Sequence, residues 1–194
     1  MNQEIEIEYK NLLDEQEFNL LLRHFSVSDE QFSTQENFYF DTEDYFLKEK
    51  GCAIRIRTKN HQHILTLKQP LEVGILETHQ PLTNEEKEKM LDYGLIPQGQ
   101  VKEALESISL PLDSFTYFGS LQTKRAQVNY KRGTLFFDQS HYLSKIDYEV
   151  EYEVQDPEEG KTVFLTLLRE LNIPTRQTHN KIKRFFLAKI KKQL

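Results

Sequence analysis

The sequence of 194 residues contains one cysteine and only seven glycines. Cys52 cannot form a disulfide within the chain and supplies no metal-binding cluster, so we expect a buried structural thiol. The glycines form no phosphate-cradling loop, which excludes a P-loop mechanism by pattern. The sequence also shows neither a signal-peptide run nor an apolar stretch long enough to cross a membrane. We therefore expect a soluble, cytoplasmic protein without a membrane partner.

Basic residues are fewer than acidic residues in this sequence. The chain has 25 lysines and arginines against 31 aspartates and glutamates, which gives a formal net charge of −6. This total gives no support for a nucleic-acid partner. Hydrophobic residues make up 38% of the chain and charged residues 29%, which is enough apolar material for a core. We expect one domain over residues 1–194, and the sequence leaves its oligomeric state open.

The stretch "EIEIEYK", residues 4–10, places a charged side chain at every second position. Such a period of two predicts a β-strand with one apolar and one charged face. The same alternation recurs in "AIRIR" (53–57), "LTLK" (65–68) and "DYEVEYEV" (147–154). Carboxylates are concentrated on the first and last strands, whereas arginine and lysine occupy the middle ones.

The whole pattern predicts about eight strands and several helices joined by short connections. Thr83, Glu86 and Gly94 additionally predict both ends of one helix. The predicted strands are 3–10, 35–42, 52–59, 63–70, 74–82, 118–130, 133–142 and 145–154, and the predicted helices are 14–25, 44–51, 82–94, 100–108, 158–172 and 180–192. Short connections favour antiparallel pairing, and eight strands suffice to close a barrel.

Two orientations of the charged strand faces are possible. Ordinary half-buried strands would turn their charges to water and their apolar residues to the core. Alternatively, the apolar faces pack against outer helices and the barrel interior is a polar tunnel. The second arrangement gives the helices' apolar stripes a partner, but its enclosed charges need compensation. A polyanion bound together with a divalent cation would provide it, because carboxylates hold hard cations and arginine and lysine hold phosphate oxygens.

The ordered set of motifs resembles the CYTH proteins, also called triphosphate tunnel metalloenzymes, and especially those of low-GC Gram-positive bacteria. Besides "EIEYK" (6–10), the resemblance rests on "YFDT" (39–42), "AIRIR" (53–57), "LTLK" (65–68), "LET" (76–78), "TKR" (123–125), "FFD" (136–138), "EVE" (149–151) and "NKIKRF" (180–185). It implies an α+β protein built on a closed eight-stranded antiparallel β-barrel, with a polar interior and helices packed on the outside.

The resemblance also implies a set of site residues and a cofactor, Mg²⁺ or Mn²⁺. Glu6, Glu8, Glu149 and Glu151 would bind the metal; Lys10, Arg55, Arg57, Lys68, Arg125 and Lys181 would bind substrate phosphates; Lys10, Glu6 and Glu8 would be catalytic. Glu77 and Asp138 would be partners of the basic residues or ligands of a second metal ion. Glu4 is expected to be solvated and His79 to be a partly exposed strand residue.

Three functions are open at this stage. The resemblance implies metal-dependent hydrolysis of a triphosphate-containing small molecule: inorganic triphosphate, thiamine triphosphate or a nucleoside triphosphate. A class IV-type adenylyl cyclase and a non-catalytic binder of polyphosphate or nucleotide are the alternatives. The basic stretch "KIKRFFLAKIKK" (181–192) could suit a membrane surface or a nucleic acid. We instead expect its apolar residues Ile182, Phe185, Phe186 and Ile190 to dock on the barrel.

Overall fold

The computed structural model describes residues 2–108 and 115–193, without the side chains of residues 191–193. Within these residues the strands are β1 (Gln3–Leu13), β2 (Ser33–Thr42), β3 (Ala53–Lys59), β4 (Gln62–Pro70), β5 (Ile75–Leu82), β6 (Phe115–Tyr130), β7 (Gly133–Tyr142) and β8 (Lys145–Val154). The helices are α1 (Glu15–His24), α2 (Phe46–Glu49), α3 (Asn84–Tyr93), α4 (Gln100–Ser107), α5 (Pro157–Glu170) and α6 (Lys181–Gln193), with one 3₁₀ turn at Asp29–Gln31.

The strands form a closed barrel in the order β1-β5-β4-β3-β2-β6-β7-β8. The neighbours whose register is defined pair in antiparallel fashion. This confirms the predicted closed antiparallel β-barrel. The strands that exceed their predicted bounds most are β1, which continues to Leu13 because its pairing with β8 extends to Tyr148, and β6, which begins at Phe115.

By density of contacts the chain divides into two compact units. The first unit comprises residues 2–6, 35–108 and 115–121. Its core joins β3 and β4 to the helices through fully buried residues, which are Ile54, Ile56, Leu65 and Leu67 from the strands and Leu47, Met90, Val101 and Leu105 from α2, α3 and α4. The apolar face of these strands therefore packs on helices, as the tunnel arrangement requires. Cys52 is only partly buried against this core.

The second unit comprises residues 7–34 and 122–193. Its core joins β6, β7 and β8 to α1 and α5 through Ala126, Leu135, Phe137, Val150 and Tyr152 on the strands and Phe18, Leu21, Phe164 and Leu167 on the helices. Here too the apolar strand residues face helices, and the charged residues between them occupy the opposite face. In each unit the barrel interior is consequently polar.

Helix α6 packs with Phe185 and Phe186, which are 2% and 4% exposed. Ile190, which was expected to dock as well, is 46% exposed, and that expectation is wrong. Among the described side chains of α6 the buried ones end at Ala188, so Ile190 lies one turn beyond the buried Phe186, past the packed part of the helix. No helix in the described ranges has the length and apolar character needed to cross a membrane.

Candidate functional site

The first unit presents arginines on the face of β3 that is turned away from the helices. Arg55 and Arg57 alternate with the buried Ile54 and Ile56, so both guanidinium groups share the opposite face. Arg57 Nε donates a hydrogen bond of 3.0 Å to Oδ1 of the buried Asn37 on β2. The amide of Asn37 thereby fixes one edge of the guanidinium group.

Lys68 on β4 joins two carboxylates of the same unit. Its Nζ lies 2.6 Å from Glu6 Oε2, and it also forms an ion pair with Glu77 Oε1. Strand register explains the second contact, because Lys68 and Glu77 are directly opposite each other on β4 and β5. Burial alone would raise the pKa of Glu77, but the charges of Lys68 and Arg55 outweigh it and lower the pKa to about 2. Glu77 is therefore ionised at neutral pH.

His79 lies two residues after Glu77 on the same face of β5. Its Nδ1 is 2.9 Å from Thr66 Oγ1, and its Nε2 is 3.0 Å from Glu4 Oε1 and 3.3 Å from Glu77 Oε2. The His79 side chain is 19% exposed and that of Glu4 is 69% exposed, in line with the partial and full exposure expected. Their contact was not predicted from the sequence, because it depends on the register between β1 and β5.

The second unit gathers three buried carboxylates on β7 and β8. Asp138, Glu149 and Glu151 are 0%, 1% and 5% exposed. Asp138 is directly opposite Glu149 in the strand register, and Glu151 follows on the same face. One carboxylate oxygen of each lies within 4.8 Å of the others. We call these three residues the carboxylate group.

Lys181 and Arg125 neutralise the carboxylate group. Lys181 Nζ lies 2.8 Å from Asp138 Oδ2 and 2.7 Å from Glu149 Oε2, and it also pairs with Glu151. Arg125 grips Asp138 with two parallel bonds of 2.7 and 2.6 Å, and its Nη2 reaches Glu151 as well. Although burial acts to raise the pKa of Asp138 and that of Glu151, these cations lower both.

Arg184 is a member of this network that the sequence prediction did not include. Its Nη2 and Nη1 lie 2.9 and 3.2 Å from the two oxygens of Glu149, and its Nε lies 3.0 Å from Asp147 Oδ2. Tyr142 donates a hydrogen bond to the same Asp147 oxygen. A signal was present in "NKIKRF", because residues three apart on a helix share a face, which places Arg184 beside Lys181.

Lys10 and Glu8 form an ion pair on β1. Burial acts to lower the pKa of Lys10, but Glu8, Glu151 and Glu149 outweigh it and raise the pKa. Lys10 is therefore a cation at neutral pH, next to the carboxylate group in the strand register through Glu151.

The predicted site residues thus form two sets, one in each unit. The first unit brings together Glu6, Lys68 and Glu77, with Arg55 and Arg57 on the same strand face. The second unit brings together Arg125, Asp138, Glu149, Glu151 and Lys181, and pairs Lys10 with Glu8. Of the four predicted metal ligands, Glu149 and Glu151 lie in the carboxylate group. Glu6 and Glu8 are instead seen in ion pairs with lysines, and their role as ligands stays a prediction.

The carboxylate group suits a hard divalent cation. Three carboxylate oxygens within reach of one another are the donors that Mg²⁺ and Mn²⁺ prefer. Such an ion would compete with the Lys181 ammonium for these oxygens. The carboxylate group therefore has the donor chemistry for a divalent metal ion.

A model of the CYTH domain family matches residues 4–186. A protein of Bacillus subtilis (strain 168), named "Putative triphosphatase YjbK", is 44% identical over 191 residues, which cover 98% of this chain and 99% of that protein.

Two solved structures are similar to the whole chain. A "putative adenylate cyclase" from Bacillus halodurans has a TM-score of 0.92 at 39% identity and covers 96% of this chain and 100% of its own. A protein of Hippeastrum named HpAC1, for which a dominant triphosphatase activity is stated, has a TM-score of 0.78 at 24% identity, over 95% of this chain and 96% of its own. At that identity the second structure shows the fold alone.

Proposed function

The chain belongs to the CYTH domain family, and from this premise we propose that it is a metal-dependent triphosphatase. It would hydrolyse a phosphoric anhydride bond of a small molecule that carries a triphosphate. The family match over residues 4–186 supports the treatment of residues 1–194 as one functional domain. The proposal also assigns the enzyme to the cytoplasm, where nucleotides and Mg²⁺ are abundant, with no nucleic-acid or membrane partner.

The observation that carries the proposal is the balance of charge around the carboxylate group. Arg125 and Lys181 meet Asp138, Glu149 and Glu151 in a setting from which water is largely excluded. A stable barrel needs no such network, since apolar residues of similar volume would serve equally well. Cations and carboxylates enclosed together do suit a ligand that combines phosphate oxygens with a metal ion.

Asp138, Glu149 and Glu151 would hold the Mg²⁺ or Mn²⁺ ion, and the proposal adds Glu6 and Glu8 as predicted ligands. The bound ion supplies Lewis-acid polarisation of a phosphoryl oxygen and neutralises developing charge. Because their pKa values are lowered, Asp138 and Glu151 are ionised and need no deprotonation before they bind a cation.

The basic residues would bind the phosphate chain. Arg125 and Lys181 would exchange carboxylate oxygens for phosphate oxygens, so their charges stay paired throughout. Arg125 offers a planar fork that matches two oxygens of one phosphate, and Arg55 and Arg57 offer the same geometry in the first unit. Lys68 and Lys10 provide compact charges. Donors held in place before the reaction stabilise the charge on the transferring phosphoryl group without reorganisation.

Cyclisation of ATP is the second candidate, favoured by the name of the Bacillus halodurans protein. A panel of inorganic triphosphate, thiamine triphosphate, ATP and GTP, each with Mg²⁺ or Mn²⁺ and with a chelator control, separates the possibilities. We expect metal-dependent release of phosphate. Pyrophosphate together with a cyclic nucleotide would instead identify a cyclase, and tight binding of a substrate without turnover would identify a binding protein.

A further inference from the structure

The first unit contains a second group of potential metal ligands that includes a histidine. Glu4, Glu77 and His79 each offer one potential donor atom, and these three atoms lie within 4.8 Å of one another. Strand register produces the arrangement, because Glu4 on β1 is directly opposite Glu77 on β5, and His79 lies two residues further along the same face. We call these residues the histidine group.

The imidazole of His79 is oriented for ligation. Nδ1 lies 2.9 Å from Thr66 Oγ1, and Thr66 is directly opposite His79 in the register. When Nδ1 carries the proton and donates it to that hydroxyl, Nε2 presents a lone pair. This is the support that a metal-bound histidine usually receives through its second ring nitrogen.

The distances around Nε2 match a coordination sphere. Nε2 lies 3.0 Å from Glu4 Oε1 and 3.3 Å from Glu77 Oε2. Ligands about 2.1 Å from an ion lie about 3.0 Å apart in octahedral geometry and about 3.4 Å apart in tetrahedral geometry. A nitrogen lone pair and two carboxylate oxygens at this spacing are brought together favourably by a cation between them.

Glu77 has one oxygen available for such an ion. Lys68 pairs with Oε1, while Oε2 faces His79. The 69% exposed side chain of Glu4 provides a path from solvent and room for water ligands. The donor set is therefore one nitrogen and two carboxylate oxygens, open on one side.

We propose that Glu4, Glu77 and His79 form a divalent transition-metal site, separate in its residues from the carboxylate group. Imidazole nitrogen favours Mn²⁺, Co²⁺ and Zn²⁺ over Mg²⁺, which prefers oxygen ligands. The histidine group accordingly binds Mn²⁺ in the presence of excess Mg²⁺. This binding goes beyond the proposed hydrolysis and does not depend on it.

Pulsed electron paramagnetic resonance of Mn²⁺ bound to the full chain tests the proposal. The protein is stripped of metal, excess Mg²⁺ is added to fill oxygen-only sites, and less than one equivalent of Mn²⁺ follows. We expect nitrogen modulation from a directly bound imidazole. His79→Gln should abolish it, whereas His24→Gln, which removes an exposed histidine of α1, should leave it unchanged.

A calorimetric titration of Mn²⁺ tests the proposal with a second variant, whose substitution is not expected to disturb folding. Glu4→Gln changes an exposed side chain and should weaken Mn²⁺ binding about 10-fold or more. The proposal is overturned if the wild type shows no nitrogen modulation, if His79→Gln retains it, or if Glu4→Gln binds Mn²⁺ as tightly as the wild type. None of these measurements depends on turnover, so failure of the proposed hydrolysis would be recognised separately.

Discussion

Asp41 is buried at the end of β2, where its carboxylate accepts three backbone hydrogen bonds. Oδ1 receives the N–H groups of Thr42 and Leu47 at 2.9 and 2.8 Å, and Oδ2 receives that of Lys48 at 3.1 Å. Burial raises the pKa of Asp41 in spite of these donors. The carboxylate therefore organises the start of α2, while its buried charge lowers the free energy of unfolding.

Asp41→Asn and Asp41→Ala should consequently differ. The amide keeps the Oδ1 acceptor for Thr42 and Leu47 and removes the buried charge, while it loses the acceptor for the Lys48 N–H. Because the gain and the loss offset each other, Asp41→Asn should change the free energy of unfolding at pH 7 by less than about 1 kcal/mol. Asp41→Ala leaves a buried N–H of Leu47 without its acceptor and should cost about 2–3 kcal/mol. Urea unfolding of both variants, with the exposed Asp92→Asn as control, checks this expectation. Equal losses in both variants would show that the carboxylate charge itself is required.

The pH dependence of Asp41 has a defined sign. Its pKa is raised on folding, so the folded state holds the proton more tightly than the unfolded state does. This contribution to stability is fully present below the unfolded value of 3.8 and is lost as the pH rises through the higher folded value. On acidification from pH 7 to pH 4, the free energy of unfolding of the wild type should therefore rise relative to that of Asp41→Asn. The same urea titrations measure this change.

Individual charges could be predicted from the sequence, but their partners could not. The alternation in β1 indicated that carboxylates share one face, and their repulsion suggested a need for a cation. The structure instead pairs Glu6 with Lys68, and Glu151 with both Lys181 and Arg125. These partners come from strands and a helix that are distant in sequence, and strand register, which no single strand's pattern reveals, decides which of them meet.

At the scale of elements, α6 delivers two cations to the second unit from consecutive turns. Lys181 and Arg184 lie three residues apart and both contact Glu149. The packed aromatic residues Phe185 and Phe186 fix the helix against its neighbours, including a ring contact of 6.0 Å between Phe185 and Tyr142. The helix therefore combines packed aromatic residues, which hold it in place, with two cations in its first turns.

Arg184→Gln should weaken this attachment strongly. The change leaves Asp147 and Glu149 with fewer positive partners, at a side chain that is only 8% exposed. Removal of one member of a buried ion pair costs about 3–5 kcal/mol, which we expect as the loss in free energy of unfolding. Lys183→Gln, at an exposed position of the same helix, should have little effect. If both variants unfold at the same denaturant concentration, the Arg184 network does not stabilise the fold.

Element boundaries were predictable where local chemistry sets them. Thr83 and Glu86 form the predicted capping box of α3, and Gly94 ends the helix at a φ of 66°. A Cβ atom on Gly94 would lie 1.7 Å from the carbonyl oxygen of Phe115, so both backbone angle and space require glycine. The extra residues of β1 and β6 were missed, because those segments owe their extended conformation to neighbouring strands rather than to their own alternation.

At the scale of the whole molecule, the closed barrel explains why strands such as β3 and β8 are charged on one face and apolar on the other. Helices cover the apolar face in each unit, with Ile54 and Val150 fully buried. This orientation was predictable, because the amphipathic helices needed an apolar surface. Which carboxylates come together was not predictable in full, since Asp138 is grouped with Glu149 and Glu151.

The proposed division of labour between carboxylates and arginines can be tested through metal rescue. Glu151→Gln keeps the size of the side chain but removes one charge from the carboxylate group. Arg57→Ala removes a phosphate-binding guanidinium in the first unit and leaves that group intact. If the roles are as proposed, Glu151→Gln should lose metal-dependent turnover and regain part of it at higher Mn²⁺ concentration.

Arg57→Ala should lose turnover that no concentration of Mn²⁺ restores, because the missing group acts on the phosphate and not on the metal. Its loss of transition-state stabilisation should be about 2–4 kcal/mol, as for other preorganised electrostatic donors. Phosphate release is measured while Mn²⁺ is titrated into each variant, with Glu170→Gln on the exposed end of α5 as control. Identical Mn²⁺ dependence in wild type and Glu151→Gln would show that the carboxylate group is not the catalytic metal site, and rescue of Arg57→Ala by Mn²⁺ would remove the distinction between the two roles.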